Sequence, residues 1–349
     1  MNLTRTCTVA CRLLALAPAA VLGAALAPVA AAATPVYRIE PLKSQGAIQP
    51  AVAYAVNAHG VVTGSAWNFV TGHYVCFRYE AGVLTELPDS ADRVCTGIND
   101  QGDIVGGPNL VQGMDDGLSY LWPAAGGRVE LVGMTMATAI NNRGDVAGWS
   151  TFGGRKAHAA WITGGVLVDL GASHGLKGES AANGLNDKGL VVGTGATRDT
   201  ASQAVKWSQG AMKKIPSPDG PLSTALAVNR LGHVVGTTGP DADQHGAYLQ
   251  DKTGVHALPA IPRTSLMTPR AINDTDMVVG SMLTEAGRNA AFFSDEGKSY
   301  WLYGLLDDSG QAWSSLSQAW GINQAGQVVG VGFYVGEGNV PFIATPVAP

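Results

Sequence analysis

GINQAGQVVG at residues 321–330 is the last of seven copies of one pattern, and the spacing of those copies decides the fold. The others are AVNAHGVVTG (55–64), GINDQGDIVG (97–106), AINNRGDVAG (139–148), GLNDKGLVVG (184–193), AVNRLGHVVG (227–236) and AINDTDMVVG (271–280). An Asn anchors each copy, at Asn57, Asn99, Asn141, Asn186, Asn229, Asn273 and Asn323, with a Gly seven residues later. Six copies also carry a Gly three residues after the Asn; the sixth has Asp276 there. The anchors stand 42, 42, 45, 43, 44 and 50 residues apart, a period that belongs to repeat architectures.

Each copy reads as a tight hairpin. The Asn side chain opens the turn as an acceptor, and the Gly three residues later takes the positive φ of a bulge. Asp tolerates that region better than most residues, so the turn is expected to survive at Asp276. The Asn residues therefore have a structural explanation that requires no ligand.

After each hairpin come a variable loop and a strand with an aromatic, as in CFRY (76–79), YLW (120–122), AAWI (159–162), AVKW (204–207), GAYL (246–249), AAFF (290–293) and PFIA (341–344). A further short strand follows, such as VLTELP (83–88) or VLVDLG (166–171). Four strands in about 43 residues is the content of a propeller blade, whereas a solenoid coil uses fewer per turn. The seventh copy ends after its third strand, and YRIEPL at 37–42 supplies an orphaned fourth. The expected fold is all-β: a seven-bladed β-propeller of four-stranded blades, one domain over 35–349. Pairing of the N-terminal strand with the last blade removes the exposed edge that an open array would leave.

These residues resemble the HAF-repeat family, bacterial extracellular repeats with an A-x-x-I-N-x-x-G-x-V-V-G core and a later H-A-F-like strand, to which His158-Ala159-Ala160-Trp161 is the nearest match. The resemblance covers nearly all of 35–349. It implies export and repetition, with no established activity and no catalytic residue to carry over.

Residues 1–31 read as a secretory signal peptide. Arg5 and Arg12 precede an apolar run from Leu13 to Ala27, then Val29-Ala30-Ala31. The run is too short for a comfortable span and contains Pro18, so cleavage is expected rather than anchoring, and the destination is periplasmic or secreted. Losing two arginines moves the net charge from −5 to −7, which disfavours nucleic acid and anionic membrane surfaces as partners. Cys7 and Cys11 leave with the leader. Cys76 and Cys95 remain, in adjacent repeats near one face. An oxidising compartment permits a disulfide; two buried free thiols in small-residue positions are the alternative.

No catalytic signature, phosphate loop or Cys/His cluster is present, and no cofactor is implied. The alternating acids of Asp241–Asp243 and of Asp274 and Asp276 do not continue into a calcium loop, so no metal site is assigned. Asp115 and Asp116 read as solvated loop residues, and His59, His174 and His233 as surface or packing residues.

Comparison across the copies is more informative. Two residues before the Asn every copy has Ala or Gly, and one before it every copy is aliphatic; both are packing positions near the axis. Three before it the residues are Tyr54, Thr96, Thr138, Asn183, Leu226, Arg270 and Trp320, and the constraint vanishes. A closed ring makes Arg270, Trp320 and Tyr54 neighbours near one mouth of the channel. The loops of that sector add Glu285, Arg288, Phe333, Tyr334, Glu337, Trp67, Phe69 and His73. Aromatic platforms beside carboxylates and Arg suit a glycan; inter-blade packing is the competing explanation of the aromatics and the more general one, since large aromatics dominate cores. The expectation is a propeller that binds a glycan, peptide or envelope component, with Tyr54, Trp67, His73, Arg270, Arg288, Trp320 and Tyr334 as ligand contacts. The alternative is a carbohydrate-active hydrolase or lyase using Glu285 and Glu337.

Overall fold

The computed structural model describes residues 34–109, 117–154, 156–172, 176–209 and 211–347. The expected leader, residues 1–31, and Asp115, Asp116 and His174 lie outside them. Residues 35–349 form one compact unit. Its strands make seven four-stranded antiparallel sheets, the blades of a propeller, spanning 48–86, 93–130, 136–169, 180–214, 222–257, 264–301 and 313–347, the last completed by Val36–Pro41. That first strand pairs antiparallel with the third strand of blade seven, Gly338–Val347, with Tyr37 opposite Pro346 and Pro41 opposite Phe342.

The sequence motif follows from this geometry. In each blade the inner strand ends at the Asn, turns, and returns as the second strand. The first Gly has positive φ, 78° at Gly60, and Asp276 holds the same turn at φ 64°. The last Gly answers to a different constraint. The inner strand is bulged at the same place in all seven blades, Ala53/Ala55 in blade one, and the bulge pushes a carbonyl toward the second strand. A Cβ at Gly64 would lie 1.9 Å from the Val52 oxygen, and at the six equivalent glycines 1.9–2.3 Å from its counterpart.

The core is not one mass but seven layers, one at each blade interface. Successive side chains of a strand point to opposite faces, so the two apolar residues before the last Gly feed different layers. Val191 packs between blades three and four, and Val192 between four and five. The third-strand aromatics tie blades together as well: Trp122 Nε1 donates to the Pro88 carbonyl at 2.8 Å and Trp207 Nε1 to that of Leu170 at 3.1 Å.

Two features depart from the repeat. The 50-residue spacing before the last copy contains two short 3-10 helices, Leu302–Leu305 and Asp308–Ala312. This insertion covers the first strand. Ile39 N–H donates to Ser309 Oγ at 2.8 Å, and Asp307 N–H to the Tyr37 carbonyl at 2.9 Å. The closing strand is thus held on its outer edge too, which limits edge pairing with other chains. Cys76 and Cys95 are joined as a disulfide with Cα atoms 5.5 Å apart. Both are fully buried and lie within the third strand of blade one and the inner strand of blade two, not at the strand starts near the face; the bridge crosses the middle of their shared layer.

Candidate functional site

The seven anchor Asn side chains are buried and close a circuit around the axis. Each Nδ2 donates to the main-chain carbonyl of the next blade's Asn, at 3.1 Å from Asn57 to Asn99 and at 2.9 Å from Asn323 back to Asn57. Each Oδ1 accepts the N–H four residues on, 2.9 Å from Val61 in the first copy. The turn role read from the sequence holds, and the inter-blade half of the contact is additional to it.

One residue further on, at the mouth of the channel, a second circuit runs through five of the seven junctions. Ala58 N–H donates to Asp100, Asp100 N–H to Asn142, Asn142 N–H to Asp187, Arg230 N–H to Asp274 and Asp274 N–H to Gln324. Asn142 Nδ2 also bridges Asp100 and Asp187, and Arg230 Nε lies 2.6 Å from Asp274. A cavity of about 250 Å³ sits here, walled by these groups and by the aliphatics one before each Asn, so those aliphatics line the channel as well as packing between blades. The mouth carboxylates are committed to hydrogen bonds. Among the described residues no group of three or more His, Cys, Asp or Glu is arranged to hold a metal.

The variable position three before the Asn is the residue skipped by the bulge. Lying outside the ladder, it is free of the pairing constraint, which explains its variability. In three blades its side chain binds the next inner strand: Thr96 Oγ1 donates to the Ala137 carbonyl at 2.9 Å, Thr138 Oγ1 to Ala182 at 2.8 Å and Asn183 Nδ2 to Ala225 at 2.8 Å. The small residue beside it allows this approach, since a Cβ at Gly321 would stand 3.2 Å from Ala55 Cα.

Arg270, Trp320 and Tyr54 stand side by side and touch. The Arg270 guanidinium lies over the Trp320 ring at 4.4 Å, and Trp320 meets Tyr54 edge-on at 5.1 Å. The indole face is therefore covered by the guanidinium and does not serve as a sugar platform. Burial lowers the Arg270 pKa, against the nearby Tyr54 hydroxyl, and burial raises that of Tyr54, so Tyr54 is a neutral donor.

The loops of this sector divide. A cavity of about 710 Å³ opens on the face opposite the Asn turns, lined by Ala51, Val52, Arg288, Gln318, Phe333 and Asn339 among others. Exposed Phe333 and Val335 of blade seven and Phe69 and Val70 of blade one lie on neighbouring hairpins. Tyr334, Trp67 and His73 are engaged within the fold: Tyr334 packs edge-on to Trp313 at 5.0 Å, Trp67 to Tyr74 at 5.1 Å, and His73 Nδ1 is 2.9 Å from Asp92. Glu285 and Glu337 sit exposed on hairpin tips of different blades and do not line the cavity, so they form no enclosed carboxylate pair.

Apart from Asp274, the acceptors that follow the Asn are not among the sequence expectations; their signal is an Asp, Asn or Gln in five of seven copies.

No family model matches this chain, and no curated protein matches it. Solved structures do. A protein taken to be TolB of Agrobacterium tumefaciens is 12% identical, with 87% of this chain and 100% of that one aligned at a TM-score of 0.50. The β-propeller domain of the Trilobed protease from Pyrococcus furiosus, described as having an open velcro topology, is 11% identical over 84% of this chain and 94% of its own, at 0.52. A puromycin-hydrolyzing peptidase of Mycobacterium tuberculosis is 12% identical over 81% of this chain and half of its own, at 0.53. At such identities the likeness shows the fold alone: this chain is a seven-bladed, four-stranded β-propeller.

Proposed function

We propose that this protein is an exported binding propeller. It engages a glycan, peptide or envelope component with the face opposite the Asn turns, over blades six, seven and one. The observation that carries the reading is the 710 Å³ cavity there, in which Phe333 offers an apolar contact and Arg288, Gln318 and Asn339 offer hydrogen bonds. Such a mixture of apolar surface and a few convergent polar groups is what ligand sites are made of. The neighbouring exposed Phe69, Val70 and Val335 extend it beyond a single pocket. The leader reading and the HAF-repeat resemblance support export to the periplasm or beyond. Among the described residues no helix is long and apolar enough to cross a membrane.

Sedimentation of the mature protein with purified envelope fragments tests this reading. Saturable binding is expected for the wild type, with loss in Phe333→Ser combined with Arg288→Ala. Equal binding by the double variant contradicts it.

A further inference from the structure

Among the described residues Arg270 has no anionic partner: its guanidinium makes no hydrogen bond or ion pair with the protein, it lies over the Trp320 ring, and its Nε is sealed from solvent. Trp320 Nε1, in the same cluster, is likewise buried without an acceptor. The other polar side chains at this level of the channel, Thr96, Thr138 and Asn183, spend their donors on the next inner strand. The carboxylate nearest along the chain, Asp274, is claimed by Arg230. The ring position preceding Arg270 is the apolar Leu226. A partly desolvated cation and a buried N–H are costly when unmatched. The Trp320 face offsets the charge through a cation–π contact, but it accepts no hydrogen bond in the guanidinium plane.

We propose that Arg270, Trp320 and Tyr54 form an anion site inside the channel that takes a single carboxylate group of an organic ligand. One guanidinium supplies one positive charge and a planar fork, which matches a carboxylate in charge and geometry. Trp320 Nε1–H, buried without an acceptor, and the Tyr54 hydroxyl belong to the same cluster. The group enters from the face opposite the Asn turns. Val52 and Gln318 line the cavity there, and Tyr54 and Trp320 lie two residues further along the same strands, about 7 Å deeper. The proposal rests on the binding reading above only for the side of entry.

The test uses the mature protein at fixed ionic strength, titrated by calorimetry and tryptophan fluorescence. The probes are digalacturonate and N-acetyl-dialanine, each against its methyl ester. Saturable binding of at least one free carboxylate is expected, about tenfold or more tighter than its ester. The uronate and peptide arms show which source the site accepts. Arg270→Gln should weaken binding by about tenfold or more without lowering the melting temperature of the unliganded protein, and Arg270→Lys should keep part of the affinity. Sedimentation with envelope fragments, run on the same wild-type protein and on Arg270→Gln, is a separate readout, so the surface reading and the channel reading fail separately. No saturable carboxylate binding, or unchanged affinity in Arg270→Gln, overturns the proposal.

Discussion

Asn323 Nδ2 donates to the main-chain carbonyl of Asn57 at 2.9 Å, joining the last blade to the first across a sequence gap of 266 residues. It is the same bond that joins every other pair of neighbouring blades, so the circuit does not distinguish the closing junction from the rest.

Asn323→Ala should therefore destabilise the protein by about 2–4 kcal/mol, since it removes the cross-blade bond and frees buried N–H groups in the turn. Asn186→Ala, far from the junction, should cost about the same. A denaturant melt of each variant checks this; a cost confined to Asn323 would mean that closure is a special weak point.

Deleting residues 35–46 from the mature protein should cost cooperative stability. It strips the fourth strand from blade seven and leaves the Gly338–Val347 strand and the 3-10 insertion without their partner. The thermal transition of the deletion should be lower and broader, and faster amide exchange over 338–347 should accompany it.

The Cys76–Cys95 bridge closes a short loop between two blades, 19 residues apart in sequence. In the loop-entropy account it contributes about 3 kcal/mol. Thiol titration of the unreduced mature protein should find no free thiol, and Cys76→Ala with Cys95→Ala should melt lower in non-reducing buffer but coincide with the wild type under reduction.

Asp145 supplies a pH dependence. Burial would raise its pKa, but hydrogen bonds from Asn141, Thr163 and Arg143 prevail and hold it below the ordinary carboxylate value. A depressed folded pKa means stability present above the unfolded value, near 4, and lost as pH falls through the folded one. Asp145→Asn should thus cost about 1–3 kcal/mol at pH 7, with the gap to wild type narrowing below about pH 4.

Asp276 was legible only in part. That Asp holds the turn in place of Gly follows from its backbone tolerance, but its side chain also reaches back to the preceding blade, where it lies 2.8 Å from His233 Nδ1 and accepts from Asn229 Nδ2 at 2.9 Å. Nothing in one repeat announces a contact with another. The same reason hides the Asn circuit: the turn is local and written in ten residues, while the cross-blade bond exists only once the ring is closed. The blades, their order and the pairing of the first strand with the last were readable because period, strand content and the split final blade are properties of the chain itself. The adjacency of Arg270, Trp320 and Tyr54 followed from ring order. That the guanidinium would cover the indole did not, because side-chain stacking depends on the bulge that leaves all three residues outside the ladder.

The Asn circuit joins every pair of neighbouring blades, and the carboxylate site proposed above lies at the bulge position. Replacing Arg270, Trp320 and Tyr54 together by Thr, the residue that blades two and three carry there, separates the two most directly, with carboxylate and envelope binding measured beside a thermal melt. The expected result is a cooperatively folded variant whose carboxylate binding is lost. A folded variant that binds carboxylate as the wild type does, or one that no longer folds because the cluster is packing, would contradict it.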